Sequence, residues 1–253
     1  MLHAFSRFEM LIGTEALEKL RNLKVAVFGV GGVGSFAAEG LVRSGVGKFM
    51  LVDDDLICLT NLNRQIHATR KTIGRPKVDV MKERIKDINP DAEVETYKLF
   101  YLPGVSDELI SNDIDYIVDA IDTVTAKIDL VMKAREKGIP IISSMGTGNK
   151  LNPALLEITD ISKTTVDPLA RVMRRELRNR GITSLKVLFS REKPAEAIES
   201  EETSCKENCI CPSGTERKCT DRRNIPGSAA FVPPSAGLLI ASEVVRDIIS
   251  LKD

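Results

Sequence analysis

The apolar positions of this chain fall into two rhythms, helical spacing and short buried runs, that alternate along most of its length. Leu11, Ala16, Leu17 and Leu20 recur at helical spacing near the start. Residues 24–30 (KVAVFGV) are then a β-branched run of buried-strand type, residues 31–34 a glycine turn, and residues 36–43 a helix. A second buried run, residues 49–52, ends in Asp53, Asp54 and Asp55. Residues 76–88 predict a helix, with Pro76 in its first turn and Asn89-Pro90 as its stop. Strands are predicted at 93–99, 116–120 and 140–143, and a helix at 123–137 closed by Gly138. The rhythm then weakens. A strand at 155–158, a basic helix at 168–179 and a strand at 185–189 follow, and residues 236–251 read as an amphipathic core helix.

Strands alternating with helices predict an α/β fold, Rossmann-like and doubly wound, with a mostly parallel sheet and a C-terminal extension. A single domain over 1–253 suits the length of 253 residues, with 192–226 as a Cys-rich irregular insertion. Such a stretch needs a function or an internal tie.

Composition narrows the function classes. Lys plus Arg and Asp plus Glu both number 36, which argues against a uniformly basic nucleic-acid coat. Eleven aromatics without Trp disfavour a base-stacking surface. No membrane span and no signal-peptide core is visible, so a cytoplasmic protein is expected. Two histidines, His3 and His67, leave little room for His-based catalysis, and His67 is expected to be structural or substrate-adjacent.

Candidate chemistry begins at the turn. Gly29, Gly31 and Gly34, with Gly32 between them, form G-x-G-x-x-G between a strand and a helix. Missing Cβ atoms let the backbone approach phosphates, and a helix N-terminus offers free N–H groups. Asp53 ends the next strand, where a carboxylate can accept bonds from ribose hydroxyls. The fingerprint alone fits NAD, FAD or ATP. Arg64, in the run Thr60-Asn61-Leu62-Asn63-Arg64-Gln65, together with Lys77 and Asp122, suits the larger charge of a triphosphate. A P-loop is absent from the sequence.

The ordered set GVGGVG, LVDDD, TNLNRQIHA, GRPKVD and DAIDT resembles the ubiquitin-activating-enzyme superfamily of the ThiF/MoeB/HesA type over residues 7–145. That resemblance implies activation of a carboxylate by ATP as an acyl-adenylate. It implies Gly31 against the nucleotide, Asp53 on the ribose, and Asn61, Arg64, Gln65 and Lys77 at the nucleotide, with Asp122 holding Mg2+. It also implies a homodimer supplying an N-terminal arginine across the interface, for which Arg7 is the candidate. Members that activate sulfur carriers generally have two Cys-x-x-Cys pairs, and this chain has none.

The segments around Thr159–Thr164 and Asp167–Ala170, with the stretch AFVPPSAG at 230–237, are instead similar to the branch that cyclises threonylcarbamoyladenosine in tRNA. The alternative is an adenylyltransferase acting on the C-terminus of a ubiquitin-like sulfur carrier. An NAD-dependent oxidoreductase and a non-catalytic nucleotide sensor are further classes.

Charge supports a tRNA partner. Residues 161–191 carry a net +6, with Lys163, Arg171, Arg174, Arg175 and Arg178 as candidate phosphate contacts. The whole-chain neutrality is therefore cancellation, because residues 104–129 carry −6 and 192–207 carry −4. Cys205, Cys209, Cys211 and Cys219 could hold Zn2+ or an iron–sulfur cluster, form a disulfide, or stay as loop thiols. A sulfur-relay or cysteine-desulfurase partner is also considered. Cys58 reads as packing.

Overall fold

In the computed structural model, described for residues 2–104, 109–196, 198, 210–213 and 226–249, the β/α alternation builds one seven-stranded sheet. Its strands are β1 Lys24–Phe28, β2 Lys48–Val52, β3 Glu93–Tyr97, β4 Tyr116–Asp119, β5 Ile141–Ser144, β6 Leu156–Asp160 and β7 Lys186–Ser190. The order is β3-β2-β1-β4-β5-β7-β6, parallel except for β6 against β7. The mostly parallel doubly wound architecture is as the sequence predicts.

Alternation along β1 divides the core. Val25 and Val27 face one side with Phe49, Leu51, Tyr116 and Val118. They are covered by α3 Gly34–Arg43, α4 Lys77–Ile88 and the last described helix, which we label α7, Val232–Ile249, with Leu20 packing alongside. Ala26 and Phe28 face the other side, against Ala126, Leu130 and Ala134 of α5, Val124–Lys137. Beyond it, α6, Pro168–Arg178, buries Ala170, Met173 and Leu177 beside Val187 and Phe189. Neighbouring side chains of one strand thus serve opposite layers, as a sheet covered on both faces requires.

Two boundaries differ from the sequence pattern. The N-terminal helical segment is split at Gly13, which has φ +83°, into α1 Ser6–Ile12 and α2 Thr14–Asn22. At the other end α7 starts four residues before the apolar run and includes Pro233 and Pro234. A first-turn N–H has no intrahelical acceptor, so proline loses nothing there. Most of the 192–226 insertion lies outside the described residues; its described positions contain no helix or strand. Among the described helices, none is long and apolar enough to cross a membrane.

Candidate active site

The chain order reverses at β1, which lies between β2 and β4. Such a switch point opens a crevice at the carboxyl ends of parallel strands. A cavity of about 390 Å³ occupies that place, walled by the glycine loop, the ends of β2 and β4, and the segment around Arg64.

The glycines of the loop answer to different needs. Gly29 has φ +85°, and a Cβ there would lie 2.6 Å from the Ala120 carbonyl oxygen. A Cβ on Gly34 would overlap the Gly29 carbonyl oxygen, and one on Gly32 would reach 3.0 Å from Pro233 Cβ. Gly29 and Gly34 are fixed by the protein's own backbone, and Gly32 is in tight contact with Pro233. Gly31 is not so held: within 4 Å its Cβ would meet, among the described residues, only Gln65 Nε2, at 3.9 Å. Its missing side chain leaves space in the cavity just before the uncapped start of α3, whose N–H groups and dipole favour an anion.

Asp53, at the end of β2, ties this loop down. Its Oδ2 accepts the Val30 N–H at 2.7 Å and its Oδ1 the Asp55 N–H at 2.9 Å. Burial pushes its carboxyl upward, against the pull of Lys77. Lys77 opens α4, and its buried ammonium lies 2.6 Å from Asp55 and 3.5 Å from Asp53. The Lys77 N–H also meets the Asp55 carbonyl at 3.1 Å, so the tail of β2 fixes the lysine's backbone and its side chain.

Asn61 Oδ1 accepts the Cys58 N–H at 3.0 Å and so shapes the turn Leu59–Asn61. That turn presents Arg64, whose Nη1 donates to the Thr60 carbonyl at 2.8 Å and Asn63 Oδ1 at 3.0 Å. Gln65 is buried against the cavity, and its Oε1 has no hydrogen-bond partner among the described residues. Asp122 is exposed on the cavity wall after β4, where the Thr123 hydroxyl donates to it at 3.4 Å. Gly29, Gly31, Gly32, Asp53, Asn61, Arg64, Gln65, Lys77 and Asp122 therefore line one cavity. Gly34 stands just behind it.

The remaining candidates sit elsewhere or do other work. Arg7 is exposed on α1 and is not part of this chain's cavity wall. Arg171, Arg175 and Arg178 are exposed on α6, and Lys163 on the turn before it. Arg174, half-buried, is tied to the turn before α6. Its Nη1 donates to Thr164 Oγ1 at 2.6 Å, the Thr164 carbonyl at 2.9 Å and the Ile161 carbonyl at 3.3 Å. Three acceptors fold it back onto its own domain. Cys211 lines the cavity, whereas Cys205, Cys209 and Cys219 lie outside the described residues. His67 is buried with neither ring nitrogen hydrogen-bonded to a described residue, and burial beside Lys77 and Arg84 pushes its pKa down to about 3.

Several site residues lie outside the motifs that the sequence reading singled out. Cys58 is in the cavity wall, with the Thr60 hydroxyl donating to its Sγ at 3.5 Å. Behind the wall Asp119, the first residue of the DAIDT run, is fully buried, accepting from Lys127 at 2.9 Å, Ser143 at 2.5 Å and the Ile121 N–H at 3.2 Å, and so supports the loop bearing Asp122. Thr147, Gly148, Pro226, Gly227 and Ser228 also line the wall. Their spacing along the chain carries no motif; only the fold assembles them.

This fold and cavity define an α/β nucleotide-binding protein whose ligand crevice combines a glycine loop with a buried lysine and an adjacent arginine. The chain belongs to the ThiF family, whose sequence model matches residues 5–252. It is 49% identical over 254 residues to the tRNA threonylcarbamoyladenosine dehydratase of Bacillus subtilis, spanning 100% of this chain and 96% of that one. The Escherichia coli enzyme of the same name is 41% identical over 169 residues, 67% of this chain and 63% of that protein. Crystal structures of E. coli tRNA N6-threonylcarbamoyladenosine dehydratase, TcdA, superpose with TM-scores of 0.83 in complex with AMP and 0.80 in complex with ATP. Both are 31% identical and cover 98% of this chain and 94% of theirs.

Proposed function

We propose that this protein is an ATP-dependent, adenylating tRNA threonylcarbamoyladenosine dehydratase. The observation that carries the reading is Gly31: its missing Cβ meets no packing need among the described residues and leaves space for a phosphate chain between Arg64 and the start of α3. The full-length likeness to the B. subtilis dehydratase supplies the substrate.

In this reading a carboxylate oxygen of the modified base attacks the α-phosphorus of ATP, and the bond to pyrophosphate breaks. An atom of the same substituent then attacks the activated carbonyl carbon, AMP leaves, and the ring closes with net loss of one water. The protein's task is positioning and charge stabilisation. Asp53 faces the ribose, and Asn61, Arg64, Gln65 and Lys77 face the phosphates. Lys77 would share its charge between Asp55, Asp53 and phosphate oxygens, so the buried ammonium is never left unpaired.

Asp122, an exposed carboxylate at the strand end, fits a magnesium ligand, and the ion would offset triphosphate charge. Lys163, Arg171, Arg175 and Arg178 would meet the tRNA backbone. A homodimer bringing Arg7 across to the cavity, a cytoplasmic location, a sulfur-relay or cysteine-desulfurase partner, and Zn2+ or an iron–sulfur cluster at the clustered cysteines complete the proposal. Metal analysis of protein purified without oxygen tests the last: zinc or iron in proportion to the chain supports it, and absence of both removes it.

The central test incubates protein, ATP, magnesium and tRNA carrying threonylcarbamoyladenosine, then digests the RNA and weighs its nucleosides. Loss of one water from the modified adenosine is expected, and Asp122→Ala should abolish it. Pyrophosphate release that requires a carrier protein and not tRNA would overturn the proposal.

A further inference from the structure

Residues 226–228 line the cavity as a short strap pinned on both sides. On one side the Asn149 N–H donates to the Gly227 carbonyl at 2.8 Å, and Asn149 Oδ1 accepts the Gly227 N–H at 2.6 Å. On the other side Asn63 Nδ2 donates to the Ser228 carbonyl at 2.9 Å, and the same Asn63 accepts from Arg64. The local backbone is built for this contact. Asn149 has φ +58°, a left-handed conformation in which asparagine is among the best-tolerated L residues. Gly148 beside it has no room for a side chain, because a Cβ would lie 2.7 Å from Pro226 Cβ. The Asn149 carbonyl also accepts the Ala195 N–H at 2.8 Å, so one residue gathers three segments.

The strand order says which part of the cavity this strap lines. Asp53 ends β2, the glycine loop follows β1, Asp122 follows β4, and Thr147 and Gly148 follow β5. Ribose at Asp53 and phosphates at the glycine loop leave the β4–β5 side for the other reactant. Thr147, Gly148 and the strap are the wall there. We infer that Asn149 is a positioning residue for the acyl substrate: by fixing Gly227 it holds the wall that orients the threonylcarbamoyl carboxylate and keeps water from the activated acyl group. The inference deepens the proposed function and rests on it. Water that reaches the acyl carbon would cleave the mixed anhydride, returning the original carboxylate and AMP, so ATP would be spent without cyclisation.

The test measures cyclised nucleoside formed per AMP released, with full-length protein, ATP and modified tRNA. Asn149→Gly keeps the left-handed backbone and removes only the side-chain acceptor; Asn149→Asp keeps the acceptor. The glycine variant is expected to lower product per AMP at least fivefold and to raise KM for tRNA, with its ATP affinity measured without tRNA within twofold of wild type. The aspartate variant should restore coupling. Gly148→Ala, which pushes Pro226 outward without touching Asn149, should uncouple in the same way. Wild-type coupling in both Asn149→Gly and Gly148→Ala would overturn the inference alone. Absence of cyclised product from the wild-type protein would overturn the proposed function and the inference with it.

Discussion

Lys150 Nζ lies 2.9 Å from Asp167 Oδ2 with both side chains buried, joining the cavity's rim to the first turn of the basic helix α6. Lys150 also donates to the Gly146 carbonyl at 2.5 Å, and Asp167 Oδ1 caps α6 by accepting the Ala170 N–H at 2.9 Å. The segment that carries Asn149 and the helix that bears the exposed arginines are thus held by one ion pair.

Removing one partner strands the other charge. Lys150→Ala should destabilise the fold by about 3–5 kcal/mol, because Asp167 would remain buried and unbalanced. A double variant, Lys150→Met with Asp167→Asn, should recover part of that loss, since asparagine keeps the capping oxygen. Urea midpoints at fixed pH measure both. A single variant within about 1 kcal/mol of wild type would assign the pair a surface-like role.

Glycine substitutions should separate packing from binding. Gly34→Ala forces a methyl into the Gly29 carbonyl and should cost at least about 1–3 kcal/mol in stability. Gly31→Ala meets no such obstacle and should fold normally, yet weaken ATP binding by about tenfold, which is about 1.4 kcal/mol. Calorimetric titration with ATP, beside a thermal melt, reads the two effects independently.

Arg171, Arg175 and Arg178 follow one another at i, i+4 and i+7, which places all three on one exposed helical face. Reversing them to Glu should weaken tRNA binding and leave ATP affinity unchanged. Losing three phosphate contacts should also flatten the salt dependence of tRNA binding by about 2–3 in log–log slope. Arg174→Ala should behave differently, loosening the turn at Ile161–Thr164 and lowering stability. Filter binding at several salt concentrations tells these cases apart.

His67 predicts an acid-side instability. Its folded pKa near 3 lies below the ordinary value of 6.5, so the unfolded chain binds a proton that the folded chain refuses. The stability is intact above the unfolded value and falls as pH drops from about 6.5 towards 3, by up to about 1.4 kcal/mol per unit. His67→Gln should shallow that slope by one proton. Denaturation of both proteins between pH 4 and 7 measures it; parallel curves would count against the histidine.

Much of this was legible in the sequence because buried parallel strands are short apolar runs and helix ends carry their own punctuation. The run from Lys24 to Phe28 and the stop at Gly138, which has φ +68°, needed no tertiary information. The glycine loop, Arg64, Lys77 and Asp122 were legible as motifs. What escaped was whatever long-range contact decides. Asn149, Asn63 and Ser228 meet only after β5 and residues 226–228 reach the same rim, and Arg174 reads like its neighbours until Thr164 is placed beside it. Gly13 looked compatible with one continuous helix because an isolated glycine only weakens a helical pattern.

The packing of α7 has a temporal consequence. Gly237 sits so close to α3 that a Cβ would lie 2.3 Å from the Val33 carbonyl oxygen, and Pro233 rests against Gly32. The glycine loop is therefore translated early but receives its backing only when residues 232–237 arrive, some 200 positions later. On the ribosome, nucleotide affinity should emerge only once residues 232–237 have left the exit tunnel, making it a marker of this long-range packing rather than of the glycine loop's own synthesis.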